Sequence, residues 1–253
     1  MKNYDAAKDI AKGFNYKFVK RIISIHLMQL RFLGHSGFWL GIENKSIVFD
    51  PFITPNERAT SISIDELTCD LLLQSHAHED HIADSVYVAK RNNSIVASCY
   101  ETTEWFAKQG VNEVHPMNIG GSKNFGFVKV KMVNAVHSNS FPDGTYAGKA
   151  AGFVLSLEGK NIYFAGDTAL TFDMKLIAED FEVDFAILPI GDNFTMGIKD
   201  AIKAAHFVGT KKVIGMHFDT FGYIEINHEE AIMAFADAGI ELVLLNINET
   251  INI

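Results

Sequence analysis

Three histidines and two acids fall within eight positions at Ser75-His76-Ala77-His78-Glu79-Asp80-His81-Ile82, directly after the apolar run Leu71-Leu72-Leu73. Imidazole nitrogens and carboxylate oxygens together make the ligand set of zinc, iron and manganese. Placing them at the end of a buried strand costs desolvation, and a divalent cation offsets part of that cost. His76 and His78 lie two apart, so they project to one side of an extended backbone, whereas Asp80 and His81 are adjacent and need a turn to join them. One histidine here would read more simply as part of a solvated loop; the HxHxDH spacing argues for a metal site.

Further candidates stand just past other apolar runs. Asp50 follows Ile47-Val48-Phe49, His137 follows Val133-Asn134-Ala135-Val136, Asp167 follows Tyr163-Phe164-Ala165-Gly166, and His217 follows Val213-Ile214-Gly215-Met216. Strand ends along one sheet edge are where an α/β protein collects a site from distant parts of its chain.

The elements that must deliver these residues follow from the apolar pattern. Strands are expected at 30–33, 38–42, 46–49, 70–74 and 95–97, with helices at 85–92, capped by Asp84, and near 101–109. A long alternating strand at 127–136 and a hairpin of 152–157 with 162–165 come next. Helices near 172–179, 198–208 and 228–238 then alternate with strands 184–189, 213–216 and 241–245. Two blocks of strands, each followed by strand–helix alternation, suit an α/β fold of two face-to-face sheets with helices outside. Without a linker or fixed repeat, residues 28–253 read as one domain behind an N-terminal extension, 1–27.

Composition narrows the partners. Hydrophobic residues make up 48% of the 253 and the formal net charge is −9, which suits a large buried core and argues against a phosphate-neutralising, nucleic-acid-binding surface. Cys69 and Cys99 form no CxxC pair and read as small buried residues of a reducing compartment. The patch Ile22-Ile23-Ser24-Ile25 is too short for a membrane span, so the expectation is a cytoplasmic protein with no membrane partner. The apolar arm 22–27 could dock on a second subunit in a homo-oligomer.

The set Asp50, His76-x-His78-x-Asp80-His81, His137, Asp167 and His217 resembles the five motifs of the metallo-β-lactamase superfamily. Within it, GHSGFWL (34–40), FDPF (49–52), HPMNIGG (115–121), AGDTAL (165–170) and LPIGDNFTMG (188–197) are similar to the small metal-dependent hydrolases related to L-ascorbate-6-phosphate lactonase. The resemblance implies a four-layer αββα sandwich with two divalent ions at one edge. His76, His78 and His137 would hold the first ion, Asp80, His81 and His217 the second, and Asp167 would bridge them. Asp50 would support a ligand histidine from behind.

Zinc is the favoured metal, with manganese, iron or nickel also suited. The implied reaction is hydrolysis of a small, anionic metabolite by a metal-bridging hydroxide, without a serine or cysteine nucleophile. A sugar-phosphate lactone is the favoured substrate. Phosphodiester hydrolysis is the runner-up, and a non-enzymatic metal-binding protein is the third reading; a di-iron redox role would want a flavin domain that the chain does not carry.

Residues outside the ligand set divide between function and structure. Asp80 could accept a proton from the nucleophile. His35 of GHSG is a candidate catalytic contact or a structural turn residue. Asp192 and Asn193 are candidates for substrate binding or for turn chemistry. The polar loop 138–148 is expected to face substrate, with Phe141 and Tyr146 as walls. His26, His115, His206 and His228 are expected not to be ligands.

Overall fold

The computed structural model of the protein describes residues 28–253. The extension, His26 and the arm 22–27 lie outside the described residues. Strands β1 (Met28–Gly34), β2 (Gly37–Ile42), β3 (Lys45–Phe49), β4 (Leu71–Leu73), β5 (Ile95–Cys99) and β6 (Glu113–Met117) lie side by side in one sheet. β1 to β3 pair antiparallel and β3 to β6 parallel. The second sheet repeats that plan. β7 (Ser122–Asn124), β8 (Lys129–Asn134), β9 (Ala151–Leu157) and β10 (Lys160–Phe164) pair antiparallel, and β11 (Phe185–Pro189), β12 (Lys212–Met216) and β13 (Glu241–Val243) continue in parallel from β10. The last strand, β14 (Thr250–Asn252), crosses back and pairs with β1.

Alternation along the buried strands builds the layers. Ile47, Phe49, Leu71 and Leu73 face the other sheet, where Phe49 stacks on Phe164 with ring centroids 4.7 Å apart. Val48 and Leu72 point the other way, into a second apolar cluster. That cluster takes Val88 and Ala89 from helix α2 (Ser85–Asn92) and Phe106 from α3 (Tyr100–Lys108), which follow the single-turn helix α1 (Glu79–Ile82). The second sheet is covered by α4 (Met174–Asp180), α5 (Ile198–Val208) and α6 (His228–Asp237), through Ile177, Ala204 and Phe235. A fully buried Leu or Phe side chain contributes about 1.5–3 kcal/mol, so both faces of β4 hold it rigidly. The result is the αββα sandwich.

Some elements differ from the expectation. Asp84 does begin α2, but its side chain makes no capping bond. Its carboxylate accepts the main-chain N–H groups of Ile53 (2.6 Å) and Thr54 (2.8 Å) and so ties down the loop after FDPF. The strand expected at 127–136 is only β8, and β6, β7 and β14 were not anticipated. β7 is polar and exposed throughout, β6 contains Pro116, and neither shows a period-2 apolar face. Cys69 and Cys99 are buried free thiols, and burial pushes Cys69 up to about 12. No helix among the described residues is long and apolar enough to cross a membrane.

Pairing directions matter for the site. β3 and β4 run together, as do β10, β11 and β12, while β1 and β8 are each two antiparallel steps away from β3 and β10. Every strand that precedes a candidate ligand within its sheet therefore ends at the same edge.

Candidate metal centre

Sharp turns begin where those strands stop. His35 (φ 55°), Asp50 (φ 37°) and His217 (φ 54°) all adopt the left-handed backbone conformation immediately after β1, β3 and β12. Non-glycine residues hold it at a cost of about 1–3 kcal/mol each, which the packed strands behind them sustain. The His217 N–H donates to the His35 carbonyl at 2.8 Å and so stitches the two sheets together at the site. The turn required between His78 and His81 is α1, whose His81 and Ile82 N–H groups both bond back to the His78 carbonyl at 3.0 Å.

Two groups of side chains result. His76, His78 and His137 bring their ligand atoms within 4.8 Å of one another, and so do His35, Asp80, His81 and His217. Asp167 lies between the groups. Its Oδ2 is 3.0 Å from His217 Nε2, 3.3 Å from His81 Nε2, 3.7 Å from His137 Nε2 and 4.0 Å from His76 Nε2. One carboxylate oxygen thus faces four imidazole nitrogens from both groups.

A buried network behind them sets the histidine tautomers. Asp50, fully buried, accepts His81 Nδ1–H at 2.9 Å and the Ser75 N–H at 2.8 Å. The Ser75 hydroxyl also donates to Asp50, so its oxygen is free to accept from His76 Nδ1 at 2.9 Å. A carboxylate offers no proton, so both histidines carry hydrogen on Nδ1 and turn Nε2 towards Asp167. Gln74 braces the same loop through Nε2, which donates to the His76 carbonyl at 2.7 Å. Ser75 and Gln74 were missed in the sequence, although both stand within two residues of His76.

The electrostatics follow from burial and from these partners. Burial pushes His76 well below the ordinary imidazole value, and His78 and His137 downward as well, so they present lone pairs at neutral pH. At His81 burial acts in the same sense, but Asp167 and Asp80 outweigh it and hold the imidazole well above its ordinary value. Asp167 is held well below the carboxylate range by His217 and His81 despite its burial. Buried Asp167 Oδ1, His81 Nε2 and His217 Nδ1 make no hydrogen bond. Three orphaned polar atoms in one nitrogen- and oxygen-rich cluster fit divalent cations.

A family description, the beta-lactamase superfamily domain, matches residues 29–217. The chain belongs to the metallo-β-lactamase superfamily. It is 54% identical over 226 residues to a UPF0173 metal-dependent hydrolase of Flavobacterium johnsoniae, covering 89% of this chain and all of that one. A UPF0173 hydrolase of Christiangramia forsetii is 50% identical over 227 residues, again 89% of this chain and all of that protein. Among solved structures, Igni18, a metallo hydrolase of Ignicoccus hospitalis, superimposes with a TM-score of 0.81 at 29% identity, over 89% of this chain and 98% of that one. The protein is a metal-dependent hydrolase, and the non-enzymatic reading is set aside.

Above the cluster of this metallo-β-lactamase-superfamily hydrolase opens a cavity of about 450 Å³. His78, Asp80, His137, Asp167 and His217 form its floor, and Ser138, Phe194, Phe221 and Tyr223 its walls. The expected wall residues lie elsewhere. Tyr146 is exposed and outside the cavity lining, and Phe141 is buried against Trp105 with ring centroids 4.9 Å apart. Asp192 and Asn193 also lie off the lining: Asp192 Oδ1 accepts the Asn193 N–H at 2.8 Å, and both residues serve as left-handed turn residues. Their turn carries Phe194 into the wall. An aromatic next to GDN in the sequence was the available signal for it.

His35 is corrected in a different way. It is 1% exposed and lies off the cavity lining, with Nε2 3.0 Å from Asp80 Oδ2 and Nδ1 3.0 Å from Thr220 Oγ1. Burial pushes it down to about 4, so it is a neutral imidazole that donates to Asp80 and accepts from Thr220. It holds Asp80 from behind the cavity lining. His115 packs on Phe125, His206 lies on α5, and His228 bonds Asp219; none joins the ligand groups.

The loop after His137 supports the ligands through Asn139. Its Oδ1 accepts the Ala77 N–H at 2.8 Å, and its Nδ2 donates to the Ala147 carbonyl at 3.0 Å. Asn139→Ala orphans a buried N–H between His76 and His78, at a cost of about 1–3 kcal/mol. Zinc affinity at the three-histidine group is expected to fall about 10- to 100-fold, read by competition with a chromophoric chelator. Unchanged affinity would confine Asn139 to closing its own loop.

Proposed function

We propose that the protein hydrolyses a carboxyl ester or lactone of a small molecule, with two divalent ions as cofactors. His76, His78 and His137 would hold one ion, Asp80, His81 and His217 the other, and Asp167 would be shared; zinc is the favoured metal. The observation that carries this reading is the Asp167 oxygen facing imidazoles of both groups beneath an open cavity. Divalent ions there would supply a Lewis acid for the substrate oxygen and a water acidified towards neutral pH.

The chain's own residues do the rest. Asp50 and Ser75 engage Nδ1 of His81 and His76 and leave Nε2 of each as the nitrogen that would face a metal. His35 holds Asp80, which lines the cavity with its side chain 27% exposed and can accept a hydrogen bond from the attacking water. As a metal ligand Asp80 is a weak base, so its part is steering more than proton removal. A lactone with a phosphate arm was favoured from the sequence, yet no lysine or arginine is among the residues lining the cavity to receive that phosphate.

Initial rates of zinc- and manganese-loaded protein on uncharged lactones, sugar-phosphate lactones and phosphodiesters test the reading, with Asp167→Asn as control. Metal-dependent lactone turnover that is absent from the control supports it. Turnover of phosphodiesters alone would replace it with the runner-up.

A further inference from the structure

We propose that the cavity selects an uncharged substrate bearing an aromatic or similarly bulky apolar group, gripped by Phe194, Phe221 and Tyr223. This rests on the hydrolase reading and names its substrate class. Phe194 is 52%, Phe221 39% and Tyr223 79% exposed, so three large apolar side chains stand in solvent around an intensely polar floor. Exposed aromatics gathered at one concave place mark a surface that something apolar covers.

The loops that carry the rings are held in place. Phe194 and Tyr223 come from loops after different strands, β11 and β12, and meet edge to face with centroids 6.2 Å apart. Asp219 closes the second loop: its N–H donates to the Ile224 carbonyl at 2.9 Å, and its carboxylate accepts the Ile226 N–H at 3.0 Å and bonds His228 Nε2 at 2.6 Å. The first loop is closed by the Gly191–Gly197 bridge, and the Met196 N–H donates to the carbonyl of Thr168, beside Asp167. A Cβ on Gly191 would lie 2.1 Å from the His217 carbonyl oxygen, so the two loops are pressed together with no room for slack. Walls fixed in this way lose little entropy when an aromatic group enters.

The composition of the lining points in the same direction. The side chains lining the cavity include two carboxylates, Asp80 and Asp167, and no lysine or arginine. An anionic arm reaching past the metal pair would meet phenyl and phenol rings, whereas a neutral arene would find edge-to-face partners there.

Three hydroxamates share a metal-chelating head and differ in their arm: acetohydroxamate, phenylacetohydroxamate and phosphonoacetohydroxamate. Their dissociation constants on zinc-loaded protein, measured by calorimetry, separate the possibilities. The phenyl compound is expected to bind roughly 10- to 100-fold more tightly than acetohydroxamate, and the phosphonate no more tightly. The double variant Phe194→Ala/Tyr223→Ala is expected to bind the phenyl and methyl compounds alike. Equal binding of all three to the wild type, or preference for the phosphonate, would overturn the aromatic grip and leave the metal hydrolase standing. Failure of every hydroxamate to bind would remove both. A double variant that keeps the phenyl preference but loses a dimer on gel filtration would assign the rings to a second copy of the chain instead.

Discussion

Asp167→Asn is expected to lower metal-dependent turnover by more than about 100-fold and to leave the purified protein short of stoichiometric metal. Residues that merely support a ligand cost about 10- to 100-fold when removed, and a carboxylate oxygen facing four imidazoles cannot cost less. The amide offers that position either a neutral oxygen or an N–H pair, and the N–H pair points hydrogens at His217 and His81, 3.0 and 3.3 Å away. Metal analysis after gel filtration, beside initial rates, checks this. A variant with full metal and turnover within tenfold of wild type would remove Asp167 from the bridging role.

The same substitution has a pH signature in metal-free protein. Asp167 is depressed in the fold, so its stabilisation is fully present above the ordinary carboxylate value of 3.8 and is lost as pH falls through the folded value. His81 is raised, so its stabilisation is fully present below 6.5 and is lost as pH rises through the folded value. The stability gap between wild type and Asp167→Asn is therefore widest between those two values. Breaking a buried pair costs about 3–5 kcal/mol, and the gap falls near the lower end because His81 can shed its proton. Urea unfolding of chelator-treated proteins across that pH range measures it; a gap that does not vary with pH would dissolve the pair.

Asp50→Asn is expected to lower zinc affinity about 10- to 100-fold while barely changing the volume of the side chain. Both carboxylate oxygens are acceptors only. One takes the Ser75 and Gln74 N–H groups, the other the Ser75 hydroxyl and His81 Nδ1–H. Whichever way the amide turns, its NH₂ faces donors. The relief available to His81 is to move its proton to Nε2, which aims a hydrogen at the metal position. Chelator competition combined with circular dichroism tests this: retained fold with weakened metal is the expected pair of results, and unchanged affinity would show that Asp50 does not set the tautomer.

Much of the site was legible before the fold was known, because metal chemistry restricts residue type and strand ends restrict position. HxHxDH and the isolated Asp50, His137, Asp167 and His217 each follow an apolar run, and a run of that kind leaves little choice about where its last residue points. Helices α2 and α5 were legible to the residue for a related reason: a left-handed residue, Asn93 or Gly209, ends each of them. β7 and β14 were not legible, since their three residues owe their strand state to a neighbour and to no periodicity of their own.

The walls of the cavity were the main failure. The loop of Phe141 and Tyr146 starts at His137, but Trp105 draws Phe141 into the outer core and Tyr146 stands exposed outside the cavity lining. Phe194, Phe221 and Tyr223 looked like ordinary loop aromatics, and only the contact between the β11 and β12 loops makes them one surface. His35 shows the same division: its type suggested chemistry, and the Asp80 and Thr220 contacts assign it a positioning task. The sequence by itself determined the layered fold and singled out the candidate ligands that the structure gathers at one edge, because both depend on local pattern and residue chemistry. The tertiary structure alone decided the buried partners of the histidines, the placing of the Asp167 oxygen between the two groups and the aromatic mouth, because each depends on distances between segments that are remote along the chain.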